Sequence, residues 1–231
     1  MLRGPQNLPE RLLDVRQRMA RAAARAGRSA QSVTLLGITK GQPAEVVRAA
    51  ADLGLHDFGE SYLQEALEKL DALQDRTLTW HFVGRIQANK TRPIAERFAW
   101  VHAVDRLRIA ARLSEQRPHH APPLNVCLQV RLGDEAGKGG VAADELPALA
   151  RAVAQLPRLK LRGLMCIPPQ ESEAARQHAW FGELRRLYAT LNAGGAALDT
   201  LSMGMSGDFE AAIEEGATMV RIGTALFGPR N

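Results

Sequence analysis

Short runs of apolar residues alternate along the chain with longer segments of helical pattern. The apolar runs are rich in β-branched residues and nearly continuous, which is typical of strands buried on both faces of a parallel sheet. The eight predicted strands are VTLLGI (33–38), HDFG (56–59), LTWHFV (78–83), AWVHAV (99–104), LNVCLQV (124–130), LKLRGLMCI (159–167), DTLSM (199–203) and ATMVRI (217–222). The predicted helices between them include residues 43–54, 64–74, 106–117, 144–156 and 171–194.

Eight strand–helix repeats within 231 residues favour closure into a (β/α)8 TIM-type barrel over an open doubly wound sheet. No strand-to-helix turn carries a Gly-x-Gly-x-x-Gly pattern or a P-loop, so a dinucleotide-binding fold has little support. No low-complexity linker divides the chain. We therefore predict one α/β domain over residues 1–231, with the barrel over about 33–228. In such a barrel the reactive side chains follow the carboxyl ends of the strands.

An extra helix is predicted before the barrel, over about residues 7–27. Apolar residues recur there at steps of three and four and form one face: Leu8, Leu12, Val15, Met19 and Ala23. The segment is also rich in arginine, as mitochondrial transit peptides are, but Glu10 and Asp14 do not suit an acid-poor transit sequence. A packed first helix that ends at Gly27 is the better interpretation.

Composition excludes several classes of protein. No apolar stretch approaches the ~18 residues of a membrane span. The net charge is +5, but basic and acidic residues are interleaved, so we predict a solvated basic surface and no nucleic-acid partner. Cys127 and Cys166 lie in apolar runs and read as buried reduced thiols. With no signal-peptide pattern near the start, a cytoplasmic protein is expected.

Lys40 ends the first predicted strand in LLGITKGQP, where Gly41 and Pro43 break the strand. A lysine that is desolvated at a barrel mouth can lose its proton and attack an aldehyde, which arginine cannot do. Only five of the thirty basic residues are lysine, so a lysine at this position is informative. Position alone leaves a surface or phosphate-binding lysine as an alternative.

The C-terminal segment SMGMSGDFEAAIEEGATMVRIGTALFG predicts an anion site. Ser206 and Gly207 lie at the predicted start of a helix directly after the seventh strand, and Gly223 and Thr224 follow the eighth strand and lead into the last helix. Phosphate sites of barrels commonly use these two loops, with backbone N–H groups at a helix start facing the anion. Ordinary helix capping is the competing interpretation, and for the serine alone it is the stronger one.

Arg221 precedes Gly223 by two residues, so its side chain can point into the barrel mouth. A buried arginine needs an acceptor, for which a pyridine ring nitrogen and a plain salt bridge are equally good candidates. An arginine partner would leave that nitrogen unprotonated and the ring a weak electron sink.

The six histidines lack metal-ligand spacing, and we predict no metal site. Lys138, in the glycine-rich segment GDEAGKGG, is a candidate second acceptor for an aldehyde, although a flexible solvated loop is the simpler interpretation.

These segments together resemble the YggS/PROSC family of pyridoxal phosphate homeostasis proteins, which is related to the N-terminal barrel of alanine racemase. The resemblance runs from the first helix to Phe227. The segments that carry it are LLGITKGQP, HDFGESYLQE, WHFVGRIQANK, AVDRLRIAARL, LNVCLQVRLGDEAGKGG, LRGLMCIPP and the SMGM…RIGTALFG segment.

The resemblance implies pyridoxal 5'-phosphate as the cofactor and a role for individual residues. Lys40 matches the lysine that forms an imine with the cofactor, and Arg221 matches the residue near the pyridine nitrogen. The phosphate contacts match Ser206, Gly223 and Thr224, and further positions around the pocket match Glu60, His81, Asn89 and Met165. Two residues depart from the family pattern, namely Ser61 in place of the usual Asn and Gly207 in place of Asp or Asn.

The resemblance implies a monomeric carrier or homeostasis protein that has no robust turnover and no catalytic residues. Apo enzymes that use the cofactor are candidate recipients. The alternative is a racemase or another amino-acid-transforming enzyme, which needs acid–base groups on both faces of the substrate. Lys40 could serve one face, but only Tyr62 and Tyr188 are available for the other. A barrel that binds another phosphorylated metabolite without an imine is a third possibility.

Overall fold

Eight parallel strands close into a barrel in which each strand pairs with the next along the chain and the last pairs with the first. The computed structural model describes residues 7–133 and 139–229. The strands are β1 (Thr34–Ile38), β2 (Asp57–Glu60), β3 (Thr79–Phe82), β4 (Trp100–Val104), β5 (Leu124–Val130), β6 (Leu159–Cys166), β7 (Thr200–Ser202) and β8 (Met219–Ile222). Each lies within a predicted strand or one residue beyond it, so the TIM-type barrel prediction is confirmed.

Helices surround the barrel in the order expected for strand–helix repeats. They are α1 (Leu8–Arg25), α2 (Ala44–Asp52), α3 (Leu63–Ala72), α4 (Thr91–Arg97), α5 (Leu107–Gln116), α6 (Leu146–Ala154), α7 (Ala174–Ala193), α8 (Phe209–Glu214) and α9 (Thr224–Phe227). Within residues 7–133 and 139–229, no helix is long and apolar enough to cross a bilayer.

The N-terminal helix α1 packs on the barrel through the apolar face that the sequence predicts. All five residues of that face are buried: Leu8, Leu12, Val15, Met19 and Ala23. Gly27 follows the helix with a φ of 65°, the left-handed conformation that commonly terminates helices. The prediction of a packed first helix is therefore confirmed.

The main hydrophobic core lies between the strands and the helices. Phe58 and Phe82, from alternate positions of β2 and β3, belong to this outer cluster. A second, small cluster consists of Ala103, Cys127 and Met165, with Trp100 packed against it. Both cysteines are free and buried, as predicted, and burial raises the pKa of each thiol to about 12. Polar side chains are also buried inside the barrel, namely those of His81, His102, Ser202 and Arg221, and they lie below the candidate site.

Candidate functional site

Lys40 stands two residues beyond β1 at the mouth of the barrel and is partly buried. Hydrogen bonds hold the backbone on both sides of it. The Thr39 carbonyl oxygen accepts from Lys69 Nζ at 2.6 Å, and the Gly41 N–H donates to Glu65 Oε1 at 2.6 Å. Gly41 has a φ of 73°, which a glycine adopts without strain. The chain direction at Lys40 is thus fixed by its neighbours.

Lys69 and Glu60 form a buried ion pair, with Nζ and Oε1 2.7 Å apart. Glu60 Oε1 also accepts from the Thr39 hydroxyl at 2.6 Å, whereas Oε2 has no partner among the described residues. Burial raises the pKa of Glu60, and the hydrogen bonds from Lys69 and Thr39 oppose that rise. Because Lys69 belongs to α3, the ion pair places the Glu60 carboxylate between β2 and α3, outside the barrel wall.

The loops after β7 and β8 meet at the start of α9. Ser206 Oγ accepts from the Ala225 N–H at 3.2 Å, which links the two loops directly. Thr224 is the first residue of α9 and is exposed. Gly207 is also exposed, with open space where a Cβ would stand. Ser206 lies in the turn before α8, which begins only at Phe209, so it does not start that helix as predicted.

Strand order brings this loop pair beside Lys40. Because β8 pairs with both β7 and β1, the ends of the three strands are consecutive around the rim. A Cβ built on Gly223 would stand 3.4 Å from the Ile38 carbonyl oxygen. Gly223 therefore contacts the end of the strand that carries Lys40. The structure assembles the predicted lysine and the predicted anion cradle at one edge of the mouth.

Arg221 is buried inside the barrel, and the acceptors of its guanidinium among the described residues are neutral. Nη1 donates to the Ser202 carbonyl oxygen at 2.7 Å and to Ser202 Oγ at 3.0 Å, and Nη2 donates to the Cys166 carbonyl oxygen at 2.8 Å. Among the described residues no carboxylate forms an ion pair with Arg221, so the salt-bridge alternative has no support there. Burial lowers the pKa of Arg221. A neutral ring nitrogen is the kind of acceptor that suits this environment.

His81 is fully buried and points into the barrel. Its ring stacks on Trp100 with centroids 5.5 Å apart and bonds to Asp57 and His102. The ring of His81 is therefore enclosed within the barrel by these contacts and is not exposed at the mouth. Its partner His102 was not singled out from the sequence.

The other predicted pocket residues occupy different places. Met165 is fully buried in the small inner cluster. Asn89 is exposed on a short 3-10 helix over Ala88–Lys90. Ser61 lines a cavity of about 470 Å³ beside the mouth, together with Tyr62 and Gly84. Met165 thus lies inside the barrel, whereas Ser61 and Asn89 lie in the segments that follow β2 and β3.

Metal binding finds no support in the part of the chain that the structure describes, which contains no cluster of three or more histidine, cysteine and acidic side chains. Lys138 lies outside the described residues.

Two residues that support the site were missed from the sequence, Lys69 and His102. Lys69 sits four residues after Glu65 on an amphipathic helix, where a lysine usually forms an exposed i,i+4 pair. The sequence offered one signal that Lys69 is buried, which is its position close to the apolar residues Ala66 and Leu70 on the helix. All three residues are buried. His102 alternates with the buried Val101 in the apolar run of β4, which places it on the inner face.

Proteins of known family are similar to this chain along most of its length. A family model for the alanine racemase N-terminal domain matches residues 14–231. The pyridoxal phosphate homeostasis protein of Pseudomonas aeruginosa is 61% identical, with 97% of this chain and 96% of that protein aligned. The Escherichia coli protein of the same name is 48% identical over 97% of each chain. PipY of Synechococcus elongatus, solved with PLP bound, is 37% identical with a TM-score of 0.85, covering 96% of this chain and 100% of that one.

Proposed function

Because the chain belongs to the alanine racemase N-terminal domain family and to its pyridoxal phosphate homeostasis proteins, we propose that it binds pyridoxal 5'-phosphate and serves in homeostasis of that cofactor. The whole chain is proposed as one cofactor-binding domain. The observation that carries the proposal is the placement of Lys40, which shares one edge of the mouth with Ser206, Gly223 and Thr224.

Lys40 is proposed to hold the cofactor covalently as an imine. When bound, pyridoxal phosphate supplies an aldehyde carbon that an amine can attack and a ring that withdraws electrons. An amine attacks an aldehyde only when it is unprotonated, so the imine would form from the neutral amine of Lys40. The hydrogen bonds at Thr39 and Gly41 fix the backbone on both sides of the lysine and so hold its Cα at the mouth.

The phosphate is proposed to bind across Ser206, Gly223 and Thr224. Two hydroxyl groups and the backbone N–H groups at the start of α9 offer donors, and Gly223 leaves room for close approach. Gly207 presents open space and so does not block the anion. Three charge-assisted contacts of about 1.5–3 kcal/mol each would retain some cofactor even without a covalent bond.

Homeostasis without sustained turnover is proposed in preference to catalysis. Arg221 would leave the ring nitrogen unprotonated and the electron sink weak. Racemisation also needs a second acid–base group opposite Lys40. The hydroxyl of Tyr188 is engaged in a 2.6 Å bond to the Leu198 carbonyl oxygen, on the outside of the barrel. Tyr62 is 58% exposed near the mouth, and it keeps a racemase-like activity as the second candidate function.

Further features of the proposal concern the cell. Release of the cofactor to apo enzymes that need it, a cytoplasmic location and a monomeric state are proposed on the strength of the family relationship alone.

Absorbance of the protein saturated with pyridoxal phosphate tests the binding proposal. We expect wild-type protein and Lys160→Ala to show the absorbance of a protein-bound imine, and Lys40→Ala to lose it while keeping part of the cofactor. Lys160 is the matched control because it is an exposed lysine near the start of β6, at the opposite end of the barrel. Imine absorbance that persists in Lys40→Ala would show that another amine holds the cofactor.

Proton exchange at the α-carbon of added amino acids distinguishes the two candidate functions. We expect at most stoichiometric exchange and no sustained racemisation. Sustained turnover that disappears in Tyr62→Phe would establish the enzyme instead.

A further inference from the structure

A continuous line of hydrogen bonds crosses the barrel interior from its floor to Arg221. Asp57 Oδ1 lies 3.0 Å from His81 Nε2, and His81 Nδ1 lies 2.9 Å from His102 Nε2. His102 Nδ1 is 2.8 Å from Ser202 Oγ, which accepts from Arg221 Nη1 at 3.0 Å. The five side chains come from β2, β3, β4, β7 and β8, so the line spans the interior rather than following the wall.

The two ends of this line determine the direction of every bond in it. A carboxylate can only accept and a guanidinium can only donate. With neutral rings, His81 must therefore donate from Nε2 to Asp57 and accept at Nδ1. It follows that His102 donates from Nε2 and accepts at Nδ1, and that the Ser202 hydroxyl donates to it. One arrangement of protons satisfies all five groups.

Burial keeps both rings in the neutral form that this arrangement needs. Burial lowers the pKa of His81, and burial together with the positive charge of Arg221 lowers the pKa of His102 well below its usual value. Asp57, at the first position of β2, retains 31% of its side-chain surface and lines a surface cavity of about 450 Å³ at the floor. Asp57 has the most exposed side chain of the five, so the negative charge lies where it is best solvated.

We propose that Asp57, His81, His102 and Ser202 form a directional chain of positioning residues that holds the Arg221 guanidinium for the ring nitrogen of the bound cofactor. The proposal rests on the proposed function, because it assigns what these four residues do for the cofactor site. Ser202 Oγ accepts a hydrogen bond from Arg221 and donates its own hydroxyl hydrogen bond to His102, so its lone pairs stay aimed at Arg221. Without that coupling the Ser202 hydroxyl is free to rotate, and the guanidinium then keeps only its bonds to the Ser202 and Cys166 carbonyl oxygens and loses part of its fixed orientation.

Nitrogen chemical shifts of the imidazole rings test the chain without any cofactor. In ¹⁵N-labelled protein free of pyridoxal phosphate, we expect His81 and His102 both to be neutral with the proton on Nε2, and each assignment is checked by loss of the signals in the corresponding variant. A proton on Nδ1 of His102, or a doubly protonated ring at neutral pH, would overturn the chain.

Substitution at His102 tests what the chain does for the cofactor. Gln can accept through Oε1 from Ser202 and donate through Nε2 to His81, whereas Leu can do neither. We expect His102→Gln to bind pyridoxal phosphate as wild type does and with the same absorption maximum. We expect His102→Leu to shift that maximum and to weaken binding roughly tenfold, as the loss of one charge-assisted bond would.

Asp57→Asn supplies a second test at the solvated end, where misfolding is less of a concern. Its amide oxygen still accepts from His81 Nε2, so the predicted tautomers persist, whereas Asp57→Leu removes the acceptor and should redistribute the ring protons. Unchanged tautomers in Asp57→Leu would contradict the chain.

The two proposals fail in different ways. If the wild-type protein forms no adduct at Lys40, the proposed function fails, and the tautomers still decide whether the chain exists. If the adduct forms and His102→Leu has the absorption maximum and affinity of wild type, the positioning role is wrong while the proposed function stands.

Discussion

Replacement of Lys69 by methionine probes the buried ion pair behind Lys40. The Lys69 ammonium makes three bonds: to the Thr39 carbonyl oxygen at 2.6 Å, to Glu60 Oε1 at 2.7 Å and to Glu65 Oε1 at 2.5 Å. The lysine side chain is 5% exposed and that of Glu60 is fully buried. Methionine keeps most of the apolar stem and removes only the charge and its donors.

The expected cost follows from leaving Glu60 without its cation. Breaking a buried ion pair by removing one partner costs about 3–5 kcal/mol, because the remaining charge is uncompensated. Glu60 Oε2 already has no partner among the described residues, so the carboxylate has no alternative donor on that side. We expect Lys69→Met to lower the free energy of unfolding by about 3–5 kcal/mol at neutral pH.

The loss should shrink as the pH falls. Burial raises the pKa of Glu60 above its usual value of 4.5, and removal of Lys69 raises it further. A carboxyl with a raised pKa in the folded state favours folding below its unfolded pKa, and this contribution is lost as the pH rises through the folded pKa. Near pH 4.5 Glu60 of the variant is therefore protonated and the missing cation matters less.

Urea denaturation of wild type, Lys69→Met, Glu60→Gln and the double variant measures these effects. Lys160→Met is the control for loss of an exposed lysine and should change the free energy of unfolding by less than about 0.5 kcal/mol. We expect the double variant to lose less than the sum of the two single losses. The reasoning is refuted if Lys69→Met costs no more than Lys160→Met, or if the two single losses simply add.

Three further predictions concern the interior and the rim. Burial lowers the pKa of His102, so below about pH 6.5 the unfolded chain binds a proton that the folded chain excludes. The free energy of unfolding should therefore fall with decreasing pH by up to about 1.4 kcal/mol per pH unit from this residue, and urea denaturation of His102→Gln should lack that part of the slope. Gly204 and Gly195 have φ of 90° and 89°, but of these two only Gly204 has an atom close to where a Cβ would stand, namely Ala212 Cβ at 2.6 Å. Gly204→Ala should therefore lower the free energy of unfolding by about 1–3 kcal/mol more than Gly195→Ala in the same assay, and equal losses would contradict the contact. Ser206→Ala should weaken binding of pyridoxal phosphate roughly tenfold in a fluorescence titration and should leave binding of pyridoxal unchanged, because pyridoxal lacks the phosphate. A similar loss of affinity for both compounds would show that the phosphate binds elsewhere.

The barrel could be predicted because its strands are buried on both faces. Runs such as LNVCLQV are apolar at nearly every position, so their boundaries are visible without knowledge of the fold, and strand β5 matches its prediction residue for residue. Helix α4 (Thr91–Arg97) was not singled out, because TRPIAER is short and carries few apolar residues. Packing rather than local pattern creates that helix.

Lys40 and the rim glycines could be predicted because each position follows a recognisable strand end. The interior network could not, because His81 and His102 are 21 residues apart and Ser202 is a further 100 residues along the chain. Only the pairing of strands brings them together. Glu60 directly follows the predicted strand HDFG, which is where residues of the barrel mouth occur. Side chains alternate between the two faces of a strand, however, and this alternation directs the Glu60 carboxylate outward to Lys69.

Borohydride reduction of the protein saturated with pyridoxal phosphate, followed by tryptic peptide mapping, tests the central claim most directly. Modification of Lys40 blocks cleavage after it, so we expect one peptide over residues 29–48 that carries the reduced cofactor. Unmodified protein should instead give residues 29–40 and 41–48. Recovery of those two short peptides alone after reduction, with the cofactor on another lysine or on none, would contradict the account.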